Sequence, residues 1–89
     1  MSTGYRVAIP KPVEKQLDRL PDNIASRVLD RIAALEKEPR PRGCVELKGK
    51  ENEYRIRIGD YRVRYEVRDR ESLVLILYCK HRKDIYKEP

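Results

Sequence analysis

Four arginines, Arg55, Arg57, Arg62 and Arg64, stand at alternate positions of two short extended runs separated by Gly59-Asp60. That dipeptide is a two-residue hairpin turn of type I′ or II′. It sets the pairing of the runs: Ile58 opposite Tyr61, Arg57 opposite Arg62, Ile56 opposite Val63, Arg55 opposite Arg64, Tyr54 opposite Tyr65 and Glu53 opposite Glu66. Side chains alternate along a strand. Tyr54, Ile56, Ile58, Tyr61, Val63 and Tyr65 therefore share one face, and the four guanidinia share the other. Like charges directly opposed across a sheet lie roughly 5 Å apart and cost stability. Diagonal pairs, Arg64 with Glu53 or Arg55 with Glu66, are one way to accommodate them on a solvated face. A polyanion lying across the face is the other, and guanidinium is the cation best shaped for phosphate.

A second set of reactive groups follows near the C-terminus: Lys80, His81, Arg82, Lys83 and Tyr86. This segment is placed to curl over one edge of the arginine face. RNA can be cut without metal when a base takes the 2′-OH proton, cations stabilise the phosphorane and an acid protonates the 5′ leaving oxygen. An imidazole such as His81 serves near neutral pH. A tyrosine such as Tyr86 serves only where neighbouring cations lower its ordinary pKa of about 10. The plain alternatives are a packing tyrosine and a solvent-exposed strand-end histidine. The cysteines, Cys44 and Cys79, and the single histidine do not complete a four-ligand zinc site. Cys79 reads as a buried free thiol in an apolar strand.

The elements that must position these groups follow from periodicity. Tyr5, Val7 and Ile9 alternate with Arg6 and Ala8, a short strand closed by Pro10 and Pro12. Val13, Leu17 and Leu20 have helical spacing, predicting a helix over 12–20 with proline in its first turn. Pro21-Asp22 opens a second helix, whose stripe Ile24, Val28, Ile32 and Leu35 runs to near Glu38. Residues 39–43 form a connector, and Val45 and Leu47 mark a short strand closed by Gly49. Two alternating strands, Glu53–Ile58 and Tyr61–Arg68, make the arginine hairpin. Residues 73–80 are apolar on both faces, as an inner strand requires; 81–89 reads as a polar turn or tail. The expected architecture is α+β. It is a two-layer sandwich of order β-α-α-β-β-β, with a helical hairpin packed on a mainly antiparallel four-stranded sheet.

Eighty-nine residues suffice for a single domain, 1–89, with one core. No apolar run approaches the roughly 20 residues of a membrane span, and the first residues lack the apolar core of a signal peptide. A soluble cytoplasmic protein without membrane contact is expected. The net charge is +6, and arginines outnumber lysines 13 to 8. Up to Pro39 there are seven basic and six acidic residues, a net +1; the remainder has fourteen and nine, a net +5. A basic field confined to one half suits a nucleic acid or an acidic partner protein.

The segments "KQLDRLP" (15–21), "LKGKENEYRIRIGDYRVRYEV" (47–67) and "KHRKDIY" (80–86) resemble the RelE/ParE superfamily of bacterial type II toxins, in its RelE branch, over nearly the whole chain. The resemblance implies a ribosome-dependent mRNA endoribonuclease without cofactor or metal, acting in the ribosomal A site and silenced by an acidic RelB-type antitoxin that folds on binding. Carried over by position, Arg55 and Arg57 match the family's basic pair, Arg62 the arginine of the second strand, Arg82 the C-terminal arginine and Tyr86 the terminal tyrosine; Arg57, Arg62, Arg82 and Tyr86, joined by His81 for its imidazole, are the expected catalytic set. Arg55, Arg64, Lys48, Lys80 and Lys83 contact RNA, and Lys80 competes with Arg82 for the place of the family's C-terminal basic residue. Arginine at 55 and 57, where the best-known member has lysine, removes any general-base role there and leaves phosphate binding intact. The resemblance leaves one relative activity of another class, ParE-like inhibition of DNA gyrase by binding alone.

Overall fold

The computed structural model describes residues 4–85. Its elements are β1 (Arg6–Ala8), α1 (Lys11–Asp18), α2 (Asp22–Ala34), β2 (Val45–Glu46), β3 (Glu53–Ile58), β4 (Tyr61–Arg68), a 3₁₀ turn (Asp69–Glu71), β5 (Leu73–His81) and α3 (Arg82–Ile85). One sheet runs in the order β1-β5-β4-β3-β2, antiparallel except for β1, which lies parallel to β5. The α+β sandwich is as expected, but the sheet has five strands rather than four. The stretch at Val45 pairs with β3, Val45 with Arg55 and Glu46 with Tyr54, and forms the far edge. The polar segment after β5 is not a loose turn at its start, because Arg82–Ile85 is helical.

Both long helices stop short of the apolar stripe that predicts them. After Asp18, the Arg19 and Leu20 amides bond to carbonyls three residues back, the tighter closure that ends a helix. After Ala34, Glu36 and Lys37 do the same, and the Glu36 carbonyl accepts the Tyr5 amide at 2.7 Å. The end of α2 is thus tied to the strand that begins the chain.

The helices bury Val13, Leu17, Val28, Ile32 and Leu35 against Tyr54, Ile56, Ile58, Val63, Tyr65, Val67, Val74, Ile76 and Cys79. Burial of that apolar area drives the two layers together. The hairpin register is the expected one at all six pairs. Tyr65 is fully buried, and its hydroxyl donates to the Pro39 carbonyl at 2.8 Å, so its polar end is satisfied. Burial pushes its pKa well above the ordinary tyrosine value. Cys79 is buried and free as expected, and burial raises its thiol to about 11. Among the described residues no helix is long and apolar enough to cross a membrane.

Candidate active site

The Gly59-Asp60 turn organises the site. Gly59 has φ +59° and Asp60 a negative φ, the pattern of a type II′ turn, in which glycine takes the left-handed first position. Strands entering such a turn keep their native twist, so Arg57 and Arg62 face each other beside it. The Gly59 carbonyl accepts Arg57 Nε at 3.2 Å and Arg62 Nη1 at 3.3 Å, and the same Nη1 donates to the Tyr61 carbonyl at 3.3 Å. Arg82 arrives from the other side. Its amide donates to the Asp60 carbonyl at 2.7 Å, and its Nε lies 3.9 Å from the Asp60 carboxylate. Three arginines of the sequence-derived catalytic set therefore meet at one turn, though they are 25 residues apart in sequence at the extremes.

Two rows of side chains cross the open face of the sheet. Arg57, Arg62 and Lys80 form the first, and Arg55, Arg64 and Tyr78 the second. With strands about 4.8 Å apart, each row spans about 10 Å. Among the described residues no carboxylate forms an ion pair with Arg55, Arg57 or Arg62, and the Arg82–Asp60 contact is long and exposed. Arg64 is different. Its Nε and Nη2 both reach Glu53 Oε1, at 2.8 and 2.6 Å, which realises one of the diagonal pairs anticipated for a solvated face. Glu66 pairs with Arg68 at 3.2 Å instead of with Arg55.

Three sequence-derived residues lie apart from this cluster. His81 pairs in register with Tyr61, so it sits on the helix-covered side of the sheet, edge-on to the Tyr61 ring at 5.1 Å. Its Nδ1 accepts the Lys83 amide at 3.2 Å, capping the start of α3. Strand alternation places His81 on the face opposite Lys80 and the hairpin arginines, where it supports the segment that carries Arg82. Lys83 is exposed on α3. Lys48 lies in the loop between β2 and β3, at the opposite end of β3 from the Gly59-Asp60 turn, roughly 17 Å of strand away. Tyr86 lies outside the described residues.

Sequence reasoning passed over two positions. Gln16 reaches from α1 to β5, where its Oε1 accepts the Cys79 amide at 2.8 Å. There β5 has run past the end of its pairing with β1, and the glutamine satisfies a backbone donor that no strand covers. Tyr78 lies on the arginine face, with Lys80 Nζ 4.8 Å and the Arg64 guanidinium carbon 6.0 Å from its ring centre. An uninterrupted two-residue period would place it inward, so no local signal marks it. Among the described residues no three His, Cys, Asp or Glu side chains cluster as a metal site.

The sequence and the fold that carry this arginine face are similar to those of known proteins. Residues 7–86 match the family model of the ParE toxin of the type II toxin-antitoxin system, parDE. A protein assigned as toxin RelE1 of Methanocaldococcus jannaschii is 33% identical over 88 residues, covering 96% of this chain and 98% of that one. The archaeal RelE–RelB complex of Pyrococcus horikoshii OT3 contains a chain of 40% identity and TM-score 0.80, matched over 89% of this chain and 96% of that chain. The toxin-antitoxin complex RelBE2 of Mycobacterium tuberculosis contains one of 28% identity and TM-score 0.75, over 88% and 98%. The chain belongs to the RelE/ParE superfamily of type II toxins and, within it, to the RelE branch.

Proposed function

We propose that this toxin is a metal-independent endoribonuclease that cuts mRNA held in the ribosomal A site. The observation that carries the reading is the convergence of Arg57, Arg62 and Arg82 on the Gly59-Asp60 turn, with Lys80 next to Arg62 and, among the described residues, no carboxylate in an ion pair with Arg57 or Arg62. Among the described residues the guanidinia of Arg57 and Arg62 are tied to backbone carbonyls, by hydrogen bonds at the long end of the range, which leaves them available to an anion.

In this reading the 2′-oxygen of the RNA attacks the adjacent phosphorus, and the bond to the 5′ oxygen breaks to leave a cyclic phosphate. Arg57 and Arg62 grip the phosphate, and Arg82 stabilises the charge added in the phosphorane. Tyr86, following α3, takes the 2′-OH proton or returns one to the leaving oxygen. His81 holds the start of α3 and acts on the reaction through Arg82. Arg55, Arg64, Lys80, Lys83 and the more distant Lys48 extend the basic track. The ribosome supplies what so few titratable groups cannot, a strand held in the reactive geometry.

The proposed partner is an acidic RelB-type antitoxin that folds on the toxin. The relatives solved from Pyrococcus and Mycobacterium as toxin-antitoxin complexes support it. The match to a ParE family model favours a second reading, inhibition of DNA gyrase by binding. Primer extension on a translated mRNA after induction separates the two. Cuts in codon register are the expected result, whereas DNA breaks or filamentation with intact mRNA would establish the gyrase reading.

A further inference from the structure

Tyr78 owes its place to an irregularity in the sheet. Along the first half of β5, Val74 and Ile76 enter the core opposite Val67 and Tyr65. Continued alternation would send Tyr78 and Lys80 inward and Cys79 outward. Leu77 has no counterpart on β4, because Tyr65 pairs with Ile76 and its neighbour Arg64 pairs with Tyr78. This one-residue bulge reverses the phase of the strand. Cys79 becomes buried, and Tyr78 and Lys80 emerge among the arginines. A bulge interrupts the ladder and re-aims the side chains beyond it, which is why bulges gather beside functional sites. Here it delivers both a cation and an aromatic ring to the same face.

The cation extends the row of Arg57 and Arg62. The ring calls for a different explanation, since binding phosphate alone requires no aromatic group. Tyr54, Tyr61 and Tyr65 all lie on the helix-covered face, so Tyr78 is the one tyrosine of β3, β4 and β5 on the arginine face. It is half-buried and flanked by Arg64 and Lys80. A flat ring among cations matches a ligand that alternates phosphates with flat bases, as single-stranded nucleic acid does. Building on the RNA-cleaving function proposed above, we infer that Tyr78 is a stacking platform for one nucleobase of the bound strand. It stands one row, about 7 Å, from the phosphate gripped by Arg57 and Arg62.

The chain contains no tryptophan, so Tyr78→Trp reports on this position alone. A short single-stranded oligoribonucleotide should quench the emission of that variant. The same oligomer made abasic, or inorganic polyphosphate, should bind through the arginines without quenching. Tyr78→Ala should bind the base-bearing oligomer about 5- to 150-fold more weakly. Tyr78→Phe should recover most of that loss, and polyphosphate affinity should follow neither change. RNA that fails to bind, or that binds without quenching, overturns the platform. So does Tyr78→Ala binding as tightly as the parent chain, or a loss that extends equally to polyphosphate. An acidic peptide that competes with polyphosphate while RNA does not would assign the face to a protein. Codon-register cuts by the parent chain without quenching in Tyr78→Trp would retain the nuclease and remove the platform. Quenching by RNA without any cuts would do the reverse.

Discussion

Arginines at the two ends of this sheet live in different company. At the β4–β5 connection, Arg40 donates to both oxygens of Asp69, at 3.2 and 2.8 Å, and to the Tyr54 hydroxyl at 2.8 Å, while its guanidinium lies 5.2 Å from the Tyr54 ring centre. Tyr5 donates to the same carboxylate at 2.7 Å. This network fastens the connector after α2 to the turn after β4. At the Gly59-Asp60 end, the partners of Arg57 and Arg62 among the described residues are carbonyls, and the two arginines face each other. A bidentate partner fixes a guanidinium in one geometry and neutralises it. Opposed arginines without acids raise the local potential and gain nothing for the fold. The first arrangement is architecture, and the second is the one proposed above to receive an anion.

That contrast can be broken most severely at the residue proposed to move the proton. Tyr86→Phe should slow single-turnover cleavage on programmed ribosomes by about 10²–10⁴ while ribosome binding hardly changes. Cleavage near the parent rate would take Tyr86 out of the reaction. His81→Ala should be the milder of the two, and the reverse order would return the histidine to the chemistry.

Arg57→Ala and Arg62→Ala should each lower the cleavage rate by roughly 10²–10³. Thermal melting should show no loss of stability, and a gain of a few tenths to about 1 kcal/mol is expected as the opposed charges are relieved. A clear fall in melting temperature would make these arginines structural, like Arg40.

Arg40→Ala is the converse test. It strips the Tyr54 hydroxyl and the Asp69 carboxylate of their shared donor, and should cost about 1–3 kcal/mol in denaturant unfolding with cleavage by the folded fraction intact. Lost cleavage at unchanged stability would dissolve the distinction between the two ends.

The smallest effect is one of pH. Hydrogen bonds from Arg40 and Tyr5 hold the Asp69 carboxyl below its ordinary value of 3.8. A lowered folded-state pKa means the stabilisation is complete above that ordinary value and disappears as pH falls through the lower, folded one. Acid titration of stability should therefore show a component below about pH 4 that Asp69→Asn removes. A component that survives the substitution would come from another carboxylate.

The hairpin was readable in one dimension. Gly59-Asp60 imposes its own backbone geometry, the period of two does the rest, and both the core face and the arginine face follow from neighbours within a dozen residues. The helical stripes were equally legible, although both helices close early in tighter turns, and the segment after α2 is held by the Tyr5 amide on the Glu36 carbonyl. The short strand at Val45 was visible, but its place as a fifth strand depends on pairing with β3.

What only the tertiary structure decided lies along β5. Apolar residues on both faces give no phase, so nothing local places the Leu77 bulge, the emergence of Tyr78 and Lys80, or the separation of His81. Those depend on which residues of β4 and α1 are opposite. Arg82 likewise joins Arg57 and Arg62 through the Asp60 carbonyl, a partner 22 residues earlier. A turn is determined by the torsional preferences of its own residues, whereas the phase of an inner strand is determined by the partners that pair with it and pack on it.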